Sequence, residues 1–485
     1  MDAKAANSPP PRWLYVALTT AIVAVYWLPR LFRGFWIDEA GTYWIAHNGF
    51  SGVWSNLQIY PGQSVIYSHL SSLLAYGGSY KEALLRLPSV FGVLVSAWLL
   101  FKLTERIAGE GSGFLAVVPF LCAGAIVETA TNARPYGLGL AVVLGSFWNL
   151  REWVHTNTNR SLIAYGLCSS LVIYFHYLFG MIFLVQLIYL VMARRWGRVF
   201  PWTRVLAVGS VILVAALPLV QQFFTIVHLS GAYTSPVLPT AVTFLSYYPL
   251  QVLAVAAIGL LFYRLLYPKW FGSLRLPERD DLVLLAAWLL LGPVLIFILV
   301  RMTGYALFST RYLVYALFPF FILLAWSIRQ IGNERARLAV LFAIALNAAL
   351  HVPAMRQQEW RTPLAEAQRL AGAETPLLLR SDFIESASRD LRGEPKPSSY
   401  LFAPLVAYPV PNEIIPVPFF VNHAAEQLLE GQIQERATTH RRFGLVATTG
   451  SDVLESLPAW FRNNGYQASA REVGSFTIVI FQRPG

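Results

Sequence analysis

At 485 residues, 56% hydrophobic and only 13% charged, with a mean hydropathy of +0.51, the chain is excluded from the ordinary globular class and reads as a polytopic membrane protein. Its formal net charge is +11, yet residues 353–485 carry 13 basic and 14 acidic side chains, leaving 24 basic and 12 acidic in the apolar part. The excess is therefore topological, and no nucleic-acid partner is implied, because that would need a clustered basic face.

In chain order, residues 1–12, with Pro9-Pro10-Pro11, read as a disordered cytoplasmic tail. Lys4 and Arg12 precede the first apolar run, 13–30, which continues through Leu28-Pro29-Arg30 into bulky aromatics without a small-x-small cleavage site, so it reads as an uncleaved anchor. A hydrocarbon core of about 30 Å needs about 20 apolar residues to cross. Ten further candidate spans follow: 84–102, 113–131, 135–150, 161–175, 177–193, 204–227, 246–266, 281–300, 311–328 and 337–352. Lys and Arg crowd one set of loops (102–106, 151–160, 194–204, 264–279, 329–337), while the opposite set holds only Arg33, Lys81, Arg86, Arg134, Arg301 and Arg311. That bias predicts a cytoplasmic amino terminus, with the loop 31–83 and the carboxyl terminus outside, as for a bacterial inner-membrane protein with a periplasmic domain. Cys122 and Cys168 fall inside predicted spans as small apolar side chains, and neither a disulfide framework nor a Cys metal site is supported.

The loop 31–83 is far longer than a simple connection and carries Trp36, Tyr43, Trp44, Trp54, Tyr60, Tyr67 and Tyr76. Aromatic-rich amphipathic segments of this kind lie in the membrane interface. At the head of the loop, Phe35-Trp36-Ile37-Asp38-Glu39 places two adjacent carboxylates where a span meets water. Acids in the first turn of a helix stabilise it by about 0.3–1 kcal/mol each, but ionisable groups beside a bilayer are costly to keep and mark functional sites. The external arginines all sit in local patterns at span ends: Arg86-Leu87-Pro88-Ser89, Asn132-Ala133-Arg134-Pro135-Tyr136 and Ser309-Thr310-Arg311-Tyr312. Membrane-edge arginines facing an acidic pair suit an anionic ligand beside a catalytic carboxylate, since the guanidinium fork donates two parallel hydrogen bonds to phosphate. Snorkelling to headgroups is the alternative for each arginine taken singly. His176-Tyr177, at the turn between two spans, can face the same cavity, and Glu128 needs a partner at its depth, with Arg134 as one candidate.

From residue 353 the sequence turns charged and Pro-containing, predicting a separate soluble α/β domain of about 130 residues. Strands are expected at 376–379, 443–447 and 476–481, and helices near 362–372, 382–391, 423–436 and 452–463. No internal repeat, phosphate loop or nucleophile motif is evident.

Taken together, Asp38-Glu39 in the first external loop, Arg86-Leu87-Pro88-Ser89, Arg134-Pro135-Tyr136, and Arg311-Tyr312 with Pro319 resemble the GT-C superfamily of integral-membrane glycosyltransferases, in particular the protein O-mannosyltransferase and lipid A aminoarabinose transferase group (glycosyltransferase family 39 or RgtA-like). The resemblance covers most of residues 13–352 and implies a GT-C fold: about eleven transmembrane helices with amphipathic helices in the first external loop, followed here by the α/β domain. It also implies inverting transfer of a sugar from a polyprenyl-monophosphate donor to a lipid, glycan or protein hydroxyl on the outer face. In that scheme Asp38 is the general base, Glu39 an auxiliary acid that positions the acceptor or helps hold a divalent cation, and Arg86, Arg134 and Arg311 bind the donor phosphate. Tyr43, Tyr60, Gln63, Tyr67, Tyr136, His176 and Tyr312 would line the donor and acceptor cavity. One departure stands out: relatives carry a Lys-Pro-Pro or His-Pro element where this chain has Tyr60-Pro61-Gly62-Gln63, so neutral groups replace an expected cation. A lipid-linked-substrate flippase and a ligase-type GT-C enzyme using a diphosphate-linked glycan are the competing readings. The first is disfavoured because the sequence shows neither the inverted repeats nor the broken helices common in transporters.

Overall fold

The computed structural model describes residues 12–229, 238–266, 277–305, 307–351, 359–396, 398–421 and 423–484. The expected cytoplasmic tail (save Arg12) and two of the topology-marking cations, Lys269 and Arg275, lie outside the described residues.

Each predicted span coincides with helix. Among the described residues, Trp13–Leu31, Gly78–Ala108, Tyr177–Arg195, Trp202–Thr225, Arg279–Thr303 and Thr310–Arg329 are each long and apolar enough to cross a membrane. The expected span 113–131 is broken into Gly113–Cys122 and Gly124–Ala130, which meet at 75°, because Ala123 leaves helical geometry with ψ at 129°. The remaining four are the helices Tyr136–Thr156, Asn159–Phe175, Leu250–Leu266 and Glu334–His351. These are shorter or carry charge within them, as Arg151 and Glu152 do, and fall short of that test on length and composition.

Two glycines fix how the helices around the first loop meet. A β-carbon on Gly92 would lie 2.4 Å from the Gly137 carbonyl carbon, and one on Gly137 would lie 2.5 Å from the Ser89 carbonyl oxygen. Helices Lys81–Ala108 and Tyr136–Thr156 therefore touch backbone to backbone, the use that small residues have at membrane helix interfaces. The contact also lets Ser89 Oγ donate to the Arg134 carbonyl at 2.8 Å. Gly92→Ala is expected to destabilise the protein by about 1–3 kcal/mol through overpacking. A thermal melt in detergent identical to wild type would show that the helices have room to spare.

The opposite end of the bundle is tied by charge. Arg151 donates to both Asp281 carboxylate oxygens at 2.7 and 2.8 Å, and Arg198 Nε donates to Asp280 at 2.9 Å. These are the arginine-rich loops that the positive-inside pattern assigns to the cytoplasm.

The carboxyl-terminal part folds as β1 (Leu377–Arg380), β2 (Ile414–Val417), β3 (Arg442–Thr448), β4 (Gln467–Val473) and β5 (Phe476–Gln482), in the order β2-β1-β3-β5-β4. The first three run parallel, while β5 pairs antiparallel with both β3 and β4. Helices Arg361–Ala371, His423–Arg436 and Val453–Asn463 match the expected ones. The helix expected at 382–391 is only a 3₁₀ turn, Ile384–Ser388, because Ser381, Asp382 and Ser386 spend their side chains on tertiary bonds at the end of β1. Two strands went unanticipated. β2 contains Pro416, which an edge strand tolerates, and β4 is exposed almost throughout, so neither shows the apolar run that flags a buried strand.

A further correction concerns the separateness of this domain. One apolar core contains Phe35, Ile37, Trp44, Leu57 and Tyr60 of the first loop together with Trp360, Leu364, Phe383, Tyr400, Leu401 and Ile478. Backbone bonds stitch the same seam, from Trp360 N to Phe35 O at 3.0 Å and from Phe35 N to the Tyr408 hydroxyl at 2.7 Å. The amphipathic helices of the loop bury their apolar faces against the carboxyl-terminal domain.

Candidate active site

Helix Ile37–Ala46 opens with Glu39 Oε2 accepting from Trp36 N at 3.3 Å, which closes the first turn. Neighbouring residues on a helix point about 100° apart, and that rotation separates the two acids. Glu39 turns inward, is fully buried, and meets Arg86 in a two-pronged pair: Nε to Oε1 at 2.8 Å and Nη2 to Oε2 at 2.5 Å. The Ala133 N–H donates to Glu39 Oε1 at 2.6 Å. Arg86 Nη1 donates to the carbonyls of Arg30, Leu31 and Arg33, and Nη2 also reaches Gly34 O.

This placement corrects two expectations. Every N–H of Arg86 is spent on a protein acceptor and its side chain is 0% exposed, so it has no donor to offer a phosphate. Glu39 is equally committed, its carboxylate fully buried on Arg86 and Ala133 N. The fork instead ties the end of the first membrane helix, the start of the loop and the second long helix into one joint.

Asp38 turns the other way. Its Oδ2 accepts from Arg311 Nη1 at 2.7 Å, with both side chains partly exposed. The Arg311 guanidinium lies over the rings of Trp36 (5.4 Å) and Tyr312 (4.9 Å), two cation–π contacts that help hold the charge in place. Arg134, only 8% exposed, donates through Nη1 to Gln63 Oε1 at 2.8 Å and to the Asp38 carbonyl at 3.3 Å. Gln63 thus occupies the arginine directly, and Gln222 Nε2 secures the Gln63 carbonyl at 3.3 Å. Tyr136, His176 and Tyr312 form a ring cluster beside the two arginines, with His176 stacked on Tyr312 at 5.0 Å and 5.4 Å from Tyr136. At its turn between helices, burial first and then the Arg134 and Arg311 charges push the His176 imidazole down to about 3, so it is neutral at physiological pH.

Three buried polar atoms in this one place have no partner: Arg134 Nε, Arg311 Nε and His176 Nδ1. Buried polar groups are ordinarily paired, and here three nitrogens without partners gather at two arginines and the histidine beside them.

The structure brings together Asp38, Arg134, Arg311, Gln63, Tyr136, His176 and Tyr312. It leaves others out. Tyr67 is buried and donates to the Leu85 carbonyl at 3.0 Å while touching Ser89 Oγ, so it is a strut. Tyr43 lies on the far side of the helix, against Phe35 and under the Lys81 ammonium. Tyr60 is a wall residue, stacked on Tyr400 at 4.2 Å and edge-on to Phe383, and burial followed by the Asp38 charge raises its phenol pKa well above the ordinary value. Sequence reasoning missed Thr42, whose Oγ1 is 3.4 Å from Arg134 Nη1, and the second-domain wall of Phe383 and Tyr400. Thr42 lies one turn beyond Asp38 and was findable from helix spacing, whereas the wall residues left no local signal.

A divalent cation held jointly by Asp38 and Glu39 does not fit these residues. Their carboxylates diverge, and each is already neutralised by a guanidinium. Among the described residues, His155, Glu278 and Asp280 are close enough to share an ion, but Arg198 already engages both of those acids at the other end of the bundle.

No protein-family profile matches the chain, and no curated protein matches it. Solved structures do. ArnT from Cupriavidus metallidurans bound to undecaprenyl phosphate superposes with a TM-score of 0.57 at 13% identity, over 96% of this chain and 97% of that one. The apo state of the same protein gives 0.57 at 13% identity, over 97% and 98%. The arabinofuranosyltransferase AftD from Mycobacteria gives 0.51 at 13% identity, covering 99% of this chain but only 40% of that longer one. With likeness end to end to ArnT, a mostly helical membrane body and a small carboxyl-terminal sheet, the chain has the GT-C fold.

Proposed function

We propose that this protein is a membrane glycosyltransferase that moves a sugar from a polyprenyl monophosphate to an acceptor hydroxyl at the outer membrane face, with inversion at the anomeric carbon. The observation that carries the reading is the Asp38–Arg311 pair beside Arg134 at the head of the first loop, where the Nε of each arginine and the Nδ1 of His176 are buried without partners. The structure solved with undecaprenyl phosphate in a chain of this fold supports a polyprenyl-phosphate partner.

In this scheme the donor phosphate takes the Arg311 fork and so releases Asp38 from its ion pair. The freed carboxylate accepts the proton of the acceptor hydroxyl, a role worth about 10²–10⁴ in rate. The acceptor oxygen forms its bond to the anomeric carbon as the bond from that carbon to the phosphate oxygen breaks. Negative charge grows on the departing polyprenyl phosphate, where Arg311 and Arg134 stabilise it electrostatically. The neutral His176, stacked on Tyr312, adds a hydrogen-bonding edge without adding charge.

Comparative mass spectrometry of lipid A, envelope glycans and glycoproteins from cells with and without the gene tests the activity. A missing sugar substituent is the expected result, and identical envelopes would overturn the reading. For the phosphate site, Arg311→Ala is expected to weaken binding of undecaprenyl phosphate about 10- to 100-fold, the range for a charged hydrogen bond. Arg311→Lys should recover only part of this, since an ammonium lacks the planar fork. Full recovery by lysine in a thermal-shift titration would mean that charge alone is read there.

A further inference from the structure

Arg134 is held by a chain of hydrogen bonds that begins on a helix the proposed chemistry does not use. Helix Trp202–Thr225 is long and apolar enough to span the membrane, and almost none of it is buried inside the protein. In its last turn stands Gln222, partly buried between exposed Gln221 and Phe223. An amide on a lipid-facing helix is costly unless its polar atoms find partners, and both ends of this one do. Its Oε1 accepts from the Tyr177 hydroxyl at 2.6 Å, and its Nε2 donates to the Gln63 carbonyl at 3.3 Å.

The chain continues through Gln63. This residue lies in the turn between helices Val53–Ile59 and Val65–Ser72, where Gly62 takes a φ of 88°, a conformation that glycine adopts freely. The next residue, Ser64, donates to the Tyr174 carbonyl at 2.7 Å, and the Tyr174 hydroxyl in turn donates to the Ala215 carbonyl of the peripheral helix at 2.7 Å. The turn is thus fastened to that helix by two routes. Gln63 Oε1 accepts from Arg134 Nη1 at 2.8 Å, the shortest contact of that nitrogen, since the Asp38 carbonyl and Thr42 Oγ1 lie at 3.3 and 3.4 Å.

The groups along the chain leave each amide one orientation. A guanidinium only donates, so the Gln63 side chain presents its oxygen to Arg134. A backbone carbonyl only accepts, so Gln222 presents its nitrogen to Gln63 and its oxygen to Tyr177. The Tyr177 ring is also braced edge-on against Phe223 at 6.1 Å. Its neighbour His176 stacks on Tyr312 at 5.0 Å, and the Arg311 guanidinium lies over the Tyr312 ring. Adjacent residues of one turn therefore reach both arginines of the site, one through stacked rings and the other through hydrogen bonds.

We propose that Gln63 and Gln222 are positioning residues for Arg134. With Nη1 pinned to the loop, the guanidinium is fixed in direction, and its Nε, buried without a partner, is left for a ligand. Given the function proposed above, on which this assignment rests, that ligand is the donor phosphate. Hydrogen bonds weaken steeply when misaligned, so the peripheral helix affects phosphate binding through Gln222.

A double-mutant cycle on undecaprenyl phosphate binding, measured by titrating the full-length protein in nanodiscs, tests this. Gln222→Met keeps the length of the side chain and suits an apolar helix while removing both hydrogen bonds. It is expected to weaken binding about three- to tenfold, the range for one or two neutral hydrogen bonds. In an Arg134→Ala background it should have no further effect, because residues that act through one another are not additive. Tyr177→Phe, which loses only the hydroxyl, should weaken binding about two- to threefold and keeps the test open if Gln222→Met folds poorly. Unchanged binding in both variants, or an equal loss with and without Arg134, would overturn the positioning role even where Arg134→Ala alone weakens binding. A wild-type protein that does not bind undecaprenyl phosphate, or an Arg134→Ala protein that binds it as tightly as wild type, would instead sink the phosphate reading of the site and the positioning role with it.

Discussion

Asp38→Asn is expected to lower sugar transfer by at least about a hundredfold while leaving folding intact, because it removes the proposed general base without changing the shape of the side chain. The Arg311 Nη1 bond to Asp38 Oδ2 at 2.7 Å can persist to an amide oxygen, so the helix 37–46 and the ring contacts of Arg311 keep their geometry. Undecaprenyl phosphate should bind at least as well as to wild type, since the carboxylate that competes for Arg311 is gone. Single-turnover transfer and a binding titration on the same preparation check this pair of outcomes. Loss of both would point to a structural role for Asp38, and unchanged transfer would remove it from the chemistry.

Arg86→Ala should fail for a different reason. It leaves the Glu39 carboxylate buried without its partner and strips the carbonyls of Arg30, Leu31, Arg33 and Gly34 of a donor. Breaking a buried pair in this way costs about 3–5 kcal/mol, a large share of the stability of most proteins. The expected result is aggregation or a strongly lowered melting temperature before any assay of activity. A well-folded Arg86→Ala protein that had merely lost affinity for undecaprenyl phosphate would restore the phosphate-binding role that its buried position argues against. Glu39→Gln should show the same destabilisation more mildly, because an amide can still accept from Ala133 N and from one prong of the fork.

The contrast between these adjacent acids shows how far local sequence carries the argument. Both sit in the first turn of a helix at a membrane edge, and their chemistry made them candidates together. Helix rotation then sent Glu39 into a core lined by carbonyls and Asp38 toward the partly exposed Arg311. The same holds for the arginines: Arg86, Arg134 and Arg311 all begin or border helices on one side of the bundle, yet only two keep an unpaired nitrogen. Tyr43, Tyr60 and Tyr67 looked alike as loop aromatics, but packing placed one against Lys81, one against Tyr400 and one under Leu85.

By itself the sequence determined the membrane class, the helical spans, the α/β character of the carboxyl-terminal part and the shortlist of charged residues. Hydrophobic length, charge bias and apolar strand runs are local properties that survive without any tertiary contact. Only the tertiary structure decided which charges are sealed in a buried pair and which stay partly exposed, that the first loop and the carboxyl-terminal domain share one core, and that residues 382–391 are not a helix. Those outcomes depend on which distant side chain satisfies each buried polar group, and pairings such as Arg86 with Glu39, Arg311 with Asp38 and Asp382 with Thr448 join positions 47, 273 and 66 residues apart.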